Sequence, residues 1–317
     1  MSASIPTNDH VLIQAARLGR RFGATWAVRD VSFTLARGDI LGFLGPNGAG
    51  KSTTMQMLTG NLAPSEGGVK IAGIDLRENP KAAKAHVGYL PEIPPLYRDA
   101  VVDEYLRFCA GLHGVPGRRI NDAVGLAKRR CGLEDVGRRL IGNLSKGFQQ
   151  RVGIAQAIVH EPAVIILDEP TVGLDPIQII EIRELIAELG RDHGVIVSTH
   201  ILPEVQALCN RVQIIRRGEL VFSARMDELE RGSHARLTVR FASPADAGEL
   251  AALAGVASVD GDGTDWLLSV NGDADSLAGE VAELAAERGW GLRELRPERA
   301  SLEQLFVDLI VNEVARP

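Results

Sequence analysis

Along the first two-thirds of the chain, short β-branched apolar runs alternate with segments of helical period. DILGFLG (39–45), AVIILDE (163–169) and GVIVSTH (194–200) are apolar at successive positions, and the last two close on acidic or polar residues. Strands apolar on both faces belong to a parallel sheet covered by helices on each side, and such sheets place ligands at their carboxyl ends. GGVKIAGIDL and VQIIRRGELVFS predict antiparallel hairpins at the periphery. From about residue 99 to 160 the pattern turns helical, in DEYLRFCAGLHG and NDAVGLAKRRCGL. This predicts a helical insert between two strands of the sheet, with the helical subdomain placed at about 93–160.

Near Met226 to Ser233 the composition shifts, and the remainder predicts the order β-α-β-β-α-β. RLTVRF alternates Leu237, Val239 and Phe241 inward; a helix follows through Leu250 and Leu253; DWLLSVN alternates Trp266, Leu268 and Val270. Leu277, Val281, Leu284 and Ala285 fit one helix face. That order matches a split βαβ, ferredoxin-like unit. SLEQLFVDLIVNEV predicts a last helix with Ser301 as N-cap and Leu302, Leu305, Phe306, Leu309 and Ile310 on one stripe. The expected organisation is an α/β domain over 1–230 and a small α+β domain over 234–317.

The 317 residues suffice for one large and one smaller domain, and 45% hydrophobic with 24% charged residues is ordinary for a globular protein. The net charge of −6 gives no whole-molecule attraction to nucleic acid or anionic lipid, so no nucleic-acid partner is expected. Arg129-Arg130 and Arg138-Arg139 read as solvated helix faces. Cys109, Cys131 and Cys209 lack metal-ligand spacing and suit a reducing compartment. MSASIPTNDH has no basic-then-apolar signal pattern, and no apolar run approaches the ~20 residues that span a bilayer. A soluble, cytoplasmic chain that touches a membrane only through a partner is expected.

Chemistry enters with GPNGAGKST, Gly45 to Thr53, which matches G-x-x-x-x-G-K-[ST] between a predicted strand and a predicted helix closing at Gly60. Backbone N–H groups must approach phosphate oxygens there, so side chains at Gly45, Gly48 and Gly50 would obstruct them. The helix N-terminus favours the anion, Lys51 reaches the β- and γ-phosphates, and the Ser52 hydroxyl ligates Mg²⁺. VIILDEP ends a buried strand in Asp168, placed to hold Mg²⁺, and Glu169, placed to accept a proton from an attacking water. His200 ends the next strand at the same sheet edge, where it can contact a γ-phosphate.

GPNGAGKST, YLPE, LSKGFQQR, ILDEP, GLDP and STH, in this order over residues 11–230, resemble the nucleotide-binding subunit of ATP-binding cassette (ABC) transporters. The resemblance implies a phosphate-loop NTPase core with a peripheral antiparallel sheet. It implies ATP and Mg²⁺ as cofactors, with Asn47 and Thr53 joining the loop residues around the nucleotide. Phe22 matches an aromatic that stacks on adenine, and Asp175 a residue coupling two sites across a dimer. NLSKGFQQRVGIAQAI reads by itself as a helix with Ser145 as N-cap. In the family, the matching segment reaches the ATP held by a second subunit, so Ser145 and Gly147 would donate to its γ-phosphate in trans and hydrolysis would require a homodimer. The helical insert resembles the region that receives a coupling helix from the membrane subunit.

Glu92 stands where the family usually has Gln, a position that contacts Mg²⁺ and the attacking water, and Lys146 and Phe148 replace Gly and Gln in the signature. YLPEIPPLY, LSKGFQQR and SLEQLF together resemble the ATPases of ABC-2-type exporters. That likeness implies an ATPase peripheral on the inner face of the cell membrane, powering export through a separate permease. A soluble cassette ATPase acting on ribosomes or DNA is the alternative; such proteins usually carry two cassettes or a long coiled-coil insert, and neither is seen. A scaffold that binds nucleotide without turnover is disfavoured by Glu169.

Overall fold

A computed structural model describes residues 11–230, 235–270, 274–298 and 306. Its contacts divide the chain into two compact units, Met1–Ser223 and Ala224–Pro317.

The first unit opens with strands β1 (Val11–Phe22) and β2 (Thr25–Ala36), followed by β3 (Ile40–Leu44) and helix α1 (Lys51–Leu58). Then come β4 (Glu66–Ile71), β5 (Ile74–Asp75), α2 (Pro80–Lys84) and β6 (Val87–Leu90). The insert contains α3 (Val102–Leu112), α4 (Ile120–Cys131) and α5 (Lys146–Ile158). The chain continues through β7 (Val164–Asp168), α6 (Pro176–Leu189), β8 (Gly194–Thr199), α7 (Leu202–Leu208), β9 (Arg211–Arg216) and β10 (Glu219–Arg225).

Six strands form the central sheet in the order β10-β9-β3-β8-β7-β6, and β9-β3, β3-β8, β8-β7 and β7-β6 pair in parallel. Every residue of β3, β7 and β8 is buried, as their unbroken apolar runs predict. A second sheet, β2-β1-β4-β5, is antiparallel. Ile13, Leu18 and Leu35 from it and Leu41, Phe43 and Ile196 from the central sheet share one core with Met55, Met57 and Leu58 of α1. Burying each large side chain contributes roughly 1.5–3 kcal/mol. The helix behind the phosphate loop is thereby fixed between two sheets.

GGVKIAGIDL forms the expected hairpin, but the first half of VQIIRRGELVFS does not lie at the periphery. As β9 it joins the central sheet, in parallel with β3, and only β10 is an edge strand. Val212, Gln213, Ile214 and Ile215 are buried in succession, which is the signature of an inner strand and not of an exposed ribbon.

The second unit begins with α8 (Met226–Glu230) and continues through β11 (Ala235–Phe241), α9 (Ala247–Ala251), β12 (Val256–Asp262), β13 (Asp265–Val270), α10 (Ala274–Arg288) and β14 (Leu292–Glu298). Its sheet runs β12-β13-β11-β14 with antiparallel neighbours. The alternating residues Leu237, Val239, Phe241, Trp266, Leu268 and Val270 are buried against Leu277, Val281 and Ala285 of α10. The helix expected through Leu253 ends at Ala251, where a turn leads to Gly255 at φ 93°. The stripe beginning at Ser301 lies outside the described residues, apart from Phe306. Among the described residues no helix is long and apolar enough to cross a membrane.

Candidate functional site

The carboxyl ends of β3, β7 and β8 converge on one cleft of about 490 Å³. Asn47, Gly48, Gly50, Lys51, Ser52 and Thr53 line it from the phosphate loop, and Glu92, Glu169 and His200 from the loops beside it. Ala27 and Val172 complete the wall. The first turn of α1 faces this space, so its free N–H groups point where an anion would sit.

Two of the loop glycines, Gly45 and Gly50, are required by the protein's own packing. Gly50 holds φ 107°, and a Cβ there would lie 2.6 Å from the Ala27 carbonyl oxygen. At Gly45 a Cβ would lie 2.4 Å from the Ile215 carbonyl oxygen. Gly48 differs: its φ of 79° demands glycine, but a Cβ would meet nothing within 4 Å. At Gly45 and Gly50 neighbouring backbone already excludes a side chain, in addition to the space a phosphate would need.

Glu169 is the centre of the polar network. It is 7% exposed and holds φ 49°, a left-handed conformation costly for a non-glycine residue. Its N–H donates to the Ser198 carbonyl at 3.0 Å, which ties the end of β7 to β8. Its carboxylate lies 3.3 Å from Lys51 Nζ through Oε1 and 2.9 Å from His200 Nδ1 through Oε2. Lys51 Nζ also donates to the Gly45 carbonyl at 2.8 Å. Cation, carboxylate and imidazole thus share one short chain of contacts at the floor of the cleft.

Asp168 lies directly behind, 3% exposed, and its Oδ1 has no hydrogen-bond partner in the protein. A buried carboxylate oxygen without a partner is costly, and a hydrated or directly bound cation would satisfy it. That carboxylate oxygen at the end of β7 and the Ser52 hydroxyl on the cleft wall are both hard oxygen donors, the chemistry that fits Mg²⁺. Burial, and then the Asp168 charge, push the nearby Tyr89 phenol up to about 12, so it stays protonated.

Other expected residues lie apart from the cleft. Ser145 is the exposed N-cap of α5, and its Oγ accepts from Phe148 N at 3.4 Å. Gly147 is buried; a Cβ there would sit 2.7 Å from Gln178 Cδ. Neither lines the cleft. Lys146 lines a neighbouring groove with Gln149 and Arg98, and Glu92, on the cleft wall, borders that groove as well. Asp175 caps α6, accepting from Gln178 N at 2.9 Å, with Pro176 as first helical residue. Phe22 is 51% exposed, and the Arg20 guanidinium lies 4.8 Å from its ring centroid. It is not a core residue, and one of its faces carries a cation.

Glu204 escaped the sequence reading. It lies in the first turn of α7, buried, bonded to Thr171 and Thr199 beside the two strand ends. A lone acid in a seven-residue helix has no periodicity or motif to mark it.

Comparisons with known proteins bear on this arrangement. A family model described as ABC transporter matches residues 28–172. The chain is 36% identical over 225 residues to the Escherichia coli K12 protein named probable multidrug ABC transporter ATP-binding protein YbhF. That match spans 71% of this chain and 39% of the relative. To the bacitracin transport ATP-binding protein BcrA of Bacillus licheniformis it is 36% identical over 222 residues, spanning 69% of this chain and 72% of that protein. A solved structure described as the ATP binding subunit of an ABC transporter superposes with a TM-score of 0.63 at 31% identity, over 69% of this chain and 92% of that one.

Proposed function

Because the chain belongs to the ABC transporter family, we propose that it hydrolyses ATP and so drives an ABC-2-type exporter whose membrane-spanning permease is a separate polypeptide. The observation that carries the reading is the Lys51–Glu169–His200 chain of contacts beneath the phosphate loop. In this reading the loop and the α1 N-terminus hold the triphosphate, and Lys51 turns from Glu169 to the β- and γ-phosphates. Glu169 takes a proton from water as the water oxygen bonds to the γ-phosphorus and the bond to the β-phosphate oxygen breaks, giving ADP and phosphate. His200 holds the Glu169 carboxylate on one side and the γ-phosphate on the other. Ser52 and Asp168 would hold Mg²⁺, with Glu92 beside them; bound there, the ion neutralises charge on the β- and γ-phosphates.

Ser145 and Gly147 lie away from this cleft, which supports their donating to the nucleotide of a second copy, so that ATP closes a homodimer. Phe22, exposed and backed by Arg20, is suited to stack on adenine. Tyr97 and Phe108 are exposed with ring centroids 5.6 Å apart and offer an apolar contact suited to a permease segment, and Ile93 and Leu112 are exposed as well. That contact would hold the subunit on the inner face of the membrane. The relatives described as multidrug and bacitracin transport proteins support an exporter. The strand order and alternation of the second unit support a ferredoxin-like domain, to which we assign dimer contact or regulation.

Glu169→Gln tests the reading. Its kcat for Mg-ATP is expected to fall about 10²–10⁴-fold with nucleotide binding retained, and light scattering should detect a dimer with saturating Mg-ATP. Equal, slow turnover in wild type and variant would refute the ATPase. A variant that stays monomeric with Mg-ATP, alone and with its permease, would refute the shared site.

A further inference from the structure

Beyond residue Asp168 the two strands that carry Glu169 and His200 separate: the β7–β8 register ends at Asp168–Ser198, followed by the single Glu169 N–H to Ser198 carbonyl bond. Past that point one side chain spans the gap. Glu204 Oε1 accepts from Thr171 Oγ1 at 2.5 Å, and Oε2 accepts from Thr199 Oγ1 at 2.8 Å. Thr171 follows Glu169 by two residues, and Thr199 immediately precedes His200. Thr199 Oγ1 also accepts the Ile201 N–H at 3.1 Å, so its own proton is committed to Glu204. Glu204 is 3% exposed, and the Arg183 guanidinium lies 4.0 Å from its Oε1.

We propose that Glu204 is a positioning residue for ATP hydrolysis: its buried carboxylate clamps Thr171 to Thr199 and so holds Glu169 and His200 at the distance their contact requires. The inference rests on the ATPase reading above. A carboxylate suits the task because both hydroxyls donate to it, one to each oxygen, which fixes their directions. An amide in its place offers one acceptor oxygen and an NH₂ that must find an acceptor, while Thr199 Oγ1 already receives a backbone N–H. The alternative is that Glu204 serves only to anchor the short helix α7. That role requires stability to suffer while turnover does not.

The test uses the full chain with Mg-ATP, comparing wild type, Glu204→Gln, Thr199→Val, His200→Ala and Glu204→Gln combined with His200→Ala. A misplacement of reacting groups of about 1 Å costs on the order of 10²-fold. Glu204→Gln is therefore expected to lower kcat about 10- to 100-fold, with KM changed less than about threefold. Added to His200→Ala, the same substitution is expected to cost less than about threefold more, because the Glu169–His200 contact it maintains is gone. A folded Glu204→Gln variant with wild-type kcat overturns the clamp, as does a full additional loss in the His200→Ala background. Should Glu204→Gln not fold, Thr199→Val, which keeps the side-chain shape, decides: reduced kcat at unchanged KM supports the clamp and wild-type kcat overturns it. A wild-type chain without Mg-ATP turnover overturns the ATPase reading and the clamp together, whereas wild-type turnover with unaffected variants overturns the clamp alone.

Discussion

Replacing His160 with Phe should alter how stability depends on pH. His160 follows α5 and stacks on His113 with ring centroids 3.8 Å apart and planes 2° from parallel. Its Nε2 lies 3.2 Å from the Val87 carbonyl, at the start of edge strand β6, so the neutral ring donates from Nε2. Its Nδ1 is buried with no partner, so a second proton would create an unpaired buried charge against another imidazole. Burial first, then His113 and His86, push His160 from 6.5 down to about 4. Burial lowers His113 in the same direction. A basic group depressed in the fold binds more protons when unfolded between these two values. Its full stabilisation is therefore present above pH 6.5 and is lost as pH falls toward 4. That shift corresponds to on the order of 3 kcal/mol. At roughly 2–4 °C per kcal/mol for a unit of this size, it is worth about 6–12 °C of melting temperature. His160→Phe keeps the stack and gives up one hydrogen bond, about 1 kcal/mol. Thermal melts in a pH series from 7.5 to 4.5 should show the variant slightly less stable at the alkaline end and more stable at the acidic end. Parallel curves for the two proteins would refute the argument.

Two further outcomes are expected. Glu92 places a carboxylate on the wall of the nucleotide cleft, a good hard ligand with Mg²⁺ present and a repulsive charge without it. ATP titrations with and without Mg²⁺ should therefore show a stronger metal dependence in wild type than in Glu92→Gln, and equal dependence would remove the idea. Gly88 on β6 faces α5 so closely that a Cβ would lie 2.0 Å from the Ala157 carbonyl oxygen, so Gly88→Ala should cost about 3 kcal/mol or more in urea unfolding.

The parts of the fold visible in the sequence are those where one physical cause dominates. β3, β7 and β8 are buried on both faces, so their apolar runs locate them and their polar ends locate the cleft. The second unit is half-buried, so the alternation of Leu237, Val239 and Phe241 gives its inner face directly. β9 was misleading because Arg217 and Gly218, both at positive φ, form a sharp turn directly after it. That turn suggests an isolated ribbon, whereas pairing with β3 is a long-range event with no local mark. The packing reasons for Gly45 and Gly50 were hidden for a similar cause. Their obstacles, the carbonyls of Ile215 and Ala27, are distant in sequence. Glu204 makes the same point for the site, since Thr171 lies 33 residues away.

These hidden contacts explain how a strained arrangement can persist at the cleft. Glu169 in the left-handed region and the buried carboxylate of Glu204 each oppose folding, the first by about 1–3 kcal/mol. Glu169 is not offset locally, for it stands in a turn between Asp168 and Pro170. What holds them is the sheet: β7 and β8 are each paired on both sides, so the ends of both strands emerge in fixed register. A conformation costly to one residue is then the only one compatible with the hydrogen bonds of several. The consequence for the proposed chemistry is that Glu169 needs no rearrangement of backbone to meet His200, because the strand register, with the Glu204 bonds to Thr171 and Thr199 beyond its end, sets their approach before any ligand arrives. The same rigidity makes the loop side chains, not the strands, the parts free to respond to a nucleotide, with Lys51 exchanging partners while the carboxylate stays in place.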